Sequence, residues 1–103
     1  MNRQEHLLTR LSEELAETQQ AISKALCYGL TNGHPGTDRL TNAEDIALEF
    51  AHAVAIMEML EESGIVPRDK RWLMRAIEAK KAKVREMMDY ARAVGTLHRE
   101  LKR

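Results

Sequence analysis

Mostly apolar positions recur along the first quarter of the chain at three- and four-residue steps: Leu7, Leu8, Leu11, Leu15, Thr18, Ile22 and Leu26. That period fits an amphipathic helix and predicts one from about Asn2 to about Leu26. The stretch "YGLTNGHPGTDRLTN" then breaks the period. Gly29, Gly33, Gly36 and Pro35 make it a loop longer than a plain helix-to-helix connection requires, and loops of that length often carry function. A second helix is expected to open near Thr41 or Asn42, either of which can cap it, with Glu44 and Asp45 in the first turn where the helix dipole favours negative charge. It runs to about Ser63, with Ile46, Phe50, Ala53, Met57 and Leu60 on its apolar face. "SGIVP" supplies the stop, Gly64 at the C-terminal end and Pro67 beyond it. A third helix opens near Arg68 or Asp69 and continues to about Val94, where Gly95 ends or kinks it. Leu73, Ile77, Val84, Met87, Met88 and Ala91 mark its buried side. The pattern predicts an all-α protein, an antiparallel helical bundle of three main helices forming one domain over residues 1–95. "TLHRELKR", residues 96–103, is a tail or a short extra helix.

Composition changes this picture in two respects. At 103 residues and 44% hydrophobic content, a single chain buries a limited share of its surface, so the core is expected to be completed by oligomerisation. The 4% aromatic content and 6 methionines favour helices over a sheet rich in β-branched and aromatic residues. The lone Cys27 excludes an internal disulfide and, without a signal-peptide pattern at the N-terminus, suggests a reducing, cytoplasmic setting. The apolar run near "FAHAVAIM" is too short to cross a bilayer, which needs ~20 residues.

The formal net charge is zero but unevenly spread. Residues 1–66 carry 4 basic and 11 acidic side chains, a balance of −7, and residues 67–103 carry 12 basic and 5 acidic, a balance of +7. Such asymmetry arises when two segments attract each other, and also in basic arms that bind nucleic acid. Only Trp72 and Tyr90 stand among the basic residues of 67–103, too few for an aromatic-interleaved basic surface, so nucleic acid ranks low as a partner. The serines and Cys27 lack a recognisable His and acid partnering, and "GLTNGHPG" lacks the Lys followed by Ser or Thr that ends a phosphate-binding Walker loop.

The acids carry the candidate chemistry. At 100° steps, Glu14 falls about 70° to one side of the first helix's apolar stripe and Glu17 farther round the same flank. Being three apart, they can point at one location, with Arg10 a turn before and Lys24 two turns after. Glu13 lies beyond Glu17 on the wet side. On the second helix Glu49 falls about 60° from the centre of the apolar face, with Asp45 and His52 a turn away on the same flank. If the two helices pack antiparallel, these groups meet at the edge of the seam. Converging carboxylates repel unless a cation neutralises them, and oxygen ligands with one imidazole suit Mg²⁺ or Mn²⁺. Spacing alone leaves a solvated charged flank open as the alternative, since 31% of the chain is charged.

The segments "LLTRLSEELAETQQAISKALCYGL" and "LTNAEDIALEFAHAVAIMEML" resemble the MazG-like all-α nucleoside triphosphate pyrophosphohydrolases, in particular short phage-type members, over about residues 7–60. The family motif is E-x-x-E on one helix and E-x-x-D on the next. Glu14 and Glu17 fill the first pair, Glu13 completes the doubled glutamate before it, and Glu49 opens the second. His52 stands where the family pattern has aspartate; imidazole is a poorer Mg²⁺ ligand than carboxylate but a good one for Mn²⁺. Asp45, a turn earlier, is a further candidate ligand. The resemblance implies a four-helix bundle, a homodimer or homotetramer, and metal-dependent cleavage of a nucleoside triphosphate to monophosphate and pyrophosphate. Glu14, Glu17, Glu49 and His52 would then serve the metal, with Glu13 or Glu17 accepting the proton of the attacking water.

For the nucleotide itself, Lys24 offers a cation near the loop, Asn42 opens the second helix, and Tyr28 could stack on a base. Ordinary surface, capping and packing roles explain the same residues. Lys80 lies by angle within the apolar stripe of the third helix, where it either faces a phosphate or carries its charge out to solvent. A relative that binds nucleotides without cleaving them is the alternative that His52 keeps open.

Overall fold

The computed structural model describes residues 1–33 and 40–98 and contains three α-helices, with no strand among those residues: α1 (Arg3–Tyr28), α2 (Asn42–Glu62) and α3 (Lys70–Ala93). Three helices are not the four of a four-helix bundle, which corrects that expectation. Pro35 and Gly36 of the connecting loop, and the last five residues of "TLHRELKR", lie outside the described residues. None of these helices is long and apolar enough to cross a membrane. The chain divides into two compact units, the first spanning Met1–Arg68 and the second beginning at Asp69.

Local chemistry sets the helix ends. Asn2 Oδ1 accepts the amide hydrogen of Glu5 at 2.8 Å and caps α1. Thr41, not Asn42, caps α2, in a reciprocal box: Thr41 Oγ1 accepts from the Glu44 amide and the Glu44 carboxylate accepts from the Thr41 amide. The Thr41 amide first, and then the Thr41 hydroxyl, donate to the Glu44 carboxylate and hold its carboxyl below the ordinary range. Asp69 caps α3 through the Trp72 amide. At the other end of α1, Gly29 has φ +93°, a conformation disfavoured for residues with a Cβ, and its amide closes on the Ala25 carbonyl.

Hydrogen bonds at both ends show that α1 and α2 run antiparallel. Asn42 Nδ2 donates to the Gly29 carbonyl at 2.8 Å beside the loop, and Arg3 Nη2 donates to Ser63 Oγ at 3.3 Å at the far end. Within this hairpin α1 buries Leu7, Glu14, Thr18, Ala21 and Ala25, and α2 buries Ala53 and Leu60. With Leu11 half-buried, the α1 face follows alternating four- and three-residue steps, the seam of two helices packed side by side.

That face keeps Leu7, Leu11 and Thr18 of the expected stripe and corrects the rest. Leu8, Leu15, Ile22 and Leu26 are exposed, while the small side chains of Thr18, Ala21 and Ala25 take the seam. Glu14 consequently sits in the buried face rather than to one side of it. Leu60, at 0% exposure, is the largest fully buried side chain among the described residues. Leu60→Ala is expected to destabilise the hairpin by about 2–5 kcal/mol, which chemical denaturation followed by circular dichroism would show as a lower midpoint.

In the second unit α3 has no fully buried residue. Of the positions expected to be buried, Leu73, Met88 and Ala91 are half-buried and Ile77, Val84 and Met87 exposed. A solitary helix has no second helix within its unit to cover its stripe. Its stabilising features are local, such as the Lys81–Glu78 pair at 3.3 Å and the Arg92–Asp89 pair at 3.2 Å.

Candidate metal centre

The antiparallel pairing places the middle of α1 opposite the middle of α2, and the acids meet there. Glu14 enters from α1 with its side chain only 9% exposed. One of its oxygens, Oε1, accepts from Arg10 Nη2 at 3.3 Å, one turn back along the helix. The other, Oε2, is buried and has no hydrogen-bond partner among the described residues; the same holds for Glu49 Oε2. His52 stands close to both oxygens. Its Nδ1 lies 3.8 Å from Glu14 Oε2 and 3.7 Å from Glu49 Oε2. These are beyond hydrogen-bonding distance.

Two orphaned carboxylate oxygens are an expense that folded proteins rarely tolerate, because a buried acceptor without a donor forfeits its hydration with no return. Here both oxygens face the same imidazole nitrogen. Glu14, Glu49 and His52 each present one donor atom, and the three atoms lie within 4.8 Å of one another. The donor set is two hard oxygens and one nitrogen, a combination that takes a divalent cation.

Electrostatics around Glu49 point the same way. Burial pushes its carboxyl above the ordinary range; a hydrogen bond and charge repulsion from Glu17 raise it further, Asp45 adds to the effect, and His52 opposes it. Glu17 is exposed and Asp45 half-buried, and both act on Glu49. The metal-free cluster therefore stores repulsion that a cation would relieve.

The other candidate positions fall outside this grouping. Glu13 is exposed and its carboxylate pairs with Arg10 at 3.0 Å. Lys24 is exposed on α1. Asn42 spends its side-chain amide on the Gly29 carbonyl, so it clasps the ends of the loop. Tyr28, the last residue of α1, is exposed, and its carbonyl accepts from Asn32 Nδ2. Lys80 lies on the exposed surface of α3 in the second unit.

Arg10 is the participant whose role spacing only hinted at. Its guanidinium bridges Glu13 and Glu14, fixing Glu14 by one oxygen and leaving the other turned toward His52. The signal was the R-x-x-E-E spacing, which sets an arginine three and four residues before two acids on one helix face. Comparisons with known protein families, curated proteins and solved structures find no match for this chain.

Proposed function

We propose that this chain is a metal-dependent nucleotide pyrophosphohydrolase of the MazG-like kind, cleaving a nucleoside or deoxynucleoside triphosphate to monophosphate and pyrophosphate. The observation that carries this reading is the pair of buried, unpartnered carboxylate oxygens of Glu14 and Glu49, delivered from opposing helices to one imidazole. A bound divalent ion, Mg²⁺ or Mn²⁺, would offset polyphosphate charge and make a water acidic enough to attack near neutral pH.

Each residue then has a task. Glu14, Glu49 and His52 hold the cation, and Arg10 keeps Glu14 oriented. Glu17, exposed and beside Glu49, accepts the proton of the attacking water as the bond between the α- and β-phosphates breaks. Asp45 adds negative charge at the same edge. Lys24, on the same helix as Glu14 and Glu17, offers a cation to phosphate.

A homodimer or homotetramer accords with the apolar positions that the hairpin leaves open, Leu8, Leu15 and Ile22 on α1 with Phe50 and Val54 on α2. The single free, exposed Cys27 accords with a reducing cytoplasmic setting. His52 favours one second reading, a nucleotide binder without turnover, because it stands half-exposed where a carboxylate would hold Mg²⁺ better.

The test is a screen of ribo- and deoxyribonucleoside triphosphates with each metal, scoring pyrophosphate by a coupled phosphatase assay. At least one triphosphate is expected to yield equal amounts of monophosphate and pyrophosphate. Metal-linked binding without product would establish the second reading instead.

A further inference from the structure

We infer that the ion belonging to Glu14, Glu49 and His52 is Mn²⁺ or a neighbouring first-row transition metal rather than Mg²⁺, and that His52 sets this preference. The inference rests on the proposed metal centre and narrows it. Mg²⁺ favours oxygen donors in a strict octahedron and gives up its water reluctantly. Imidazole nitrogen gains little from such an ion and much more from Mn²⁺, Fe²⁺, Co²⁺ or Zn²⁺.

The centre is built rather than incidental. The side chain of Glu14 is more than nine-tenths buried, at 9% exposure, and its Oε2 faces the cluster without a hydrogen-bond partner among the described residues. Arg10 occupies the remaining oxygen of that carboxylate. Glu49 repeats the orphaned oxygen from the other helix, with its side chain 21% exposed.

The position of His52 separates two roles for it. A histidine serving only as hydrogen-bond donor to a carboxylate would close to about 2.8 Å. Here Nδ1 stands 3.8 and 3.7 Å from two different carboxylate oxygens. Atoms sharing one ion through bonds of about 2.1 Å can stand up to about 4.2 Å apart. Both separations fall inside that reach. The ring is 50% exposed, so an ion can enter past it, and replacing it disturbs no packed core.

The experiment measures binding of the metals alone to the full chain, with no nucleotide present. Co²⁺ is titrated by visible absorption and calorimetry, Mg²⁺ by calorimetry and by displacement of Co²⁺, in wild type, His52→Asp and His52→Ala. The wild type is expected to bind Co²⁺ at least ~100-fold more tightly than Mg²⁺, and His52→Asp to lower that ratio by on the order of tenfold. His52→Ala is expected to weaken Co²⁺ on the order of tenfold with little change for Mg²⁺. Circular dichroism verifies that both variants keep their helices. Mg²⁺ binding as tightly as Co²⁺, a ratio unmoved by His52→Asp, or no binding of either ion would overturn the inference. Failure here with pyrophosphate still released leaves the hydrolase standing. A His52-dependent Co²⁺ site without nucleotide cleavage removes the hydrolase and keeps the metal assignment.

Discussion

Glu14→Gln is expected to cut metal-dependent pyrophosphate release by roughly 10³-fold or more while leaving the helical content unchanged. The substitution keeps size and shape, and the Gln carbonyl oxygen can still accept from Arg10, so the seam between α1 and α2 retains its packing. The loss is the charge on Oε2, the buried oxygen that faces His52. A metal supplies several kcal/mol of charge stabilisation in the transition state, and losing about 4 kcal/mol of it corresponds to roughly 10³ in rate. Because the Arg10 pair is half-exposed on the arginine side, its weakening costs stability little. Wild-type turnover in the variant, with helicity intact, would remove Glu14 from the chemistry.

Glu49→Gln is expected to invert the order of stabilities with and without metal. In the metal-free wild type, burial and Glu17 raise the Glu49 carboxyl above its ordinary range. A carboxyl whose folded pKa exceeds its unfolded one makes the folded protein bind more protons between the two values. Ionised Glu49 therefore destabilises the metal-free fold near neutral pH, and the penalty is relieved as pH falls through the raised pKa. The glutamine variant escapes that penalty, so without metal it unfolds at a higher temperature than the wild type near neutral pH. Its advantage shrinks with acidification.

Saturating metal reverses the comparison. At a free concentration 100 times the dissociation constant, a ligand bound only by the folded state adds about 2.7 kcal/mol, which for a domain of this size raises the midpoint by roughly 10 °C. The wild type gains this and Glu49→Gln does not. Thermal unfolding in chelator and in Mn²⁺, at neutral and mildly acidic pH, reads both halves. Parallel curves for the two proteins in all four conditions would contradict the proposed centre.

The same residues show what a single sequence reveals and what it hides. Helix ends were legible because Asn2, Thr41 and Asp69 cap by local hydrogen bonds that depend on the next few residues alone. The buried face of α1 was misplaced in part, because period reading gives weight to large apolar side chains and so follows Leu8, Leu15 and Ile22. The seam keeps the expected Leu7, Leu11 and Thr18 but continues through Ala21 and Ala25, whose small side chains carry little hydrophobic signal. Two helices pack where their backbones can come near, which hydrophobicity alone does not register.

Within the candidate site, the flanking of α1 and α2 by acids was legible from angular spacing; of the expected ligands Glu14, Glu17, Glu49, His52 and Asp45, the antiparallel helices group Glu14, Glu49 and His52. The depth of Glu14 was not, since it depends on the shifted seam. Nor was the work of Asn42, whose amide reaches across the loop to the Gly29 carbonyl, a contact between residues 13 apart in sequence.

The most direct measurement is a crystal structure of the full chain grown in Mn²⁺, with anomalous scattering collected at the manganese edge. One peak is expected between Glu14 Oε2, Glu49 Oε2 and His52 Nδ1, with all three atoms about 2.0–2.3 Å away. A peak bound elsewhere, or none at saturating Mn²⁺ with these side chains left as they stand, would contradict the assignment of this cluster to a metal.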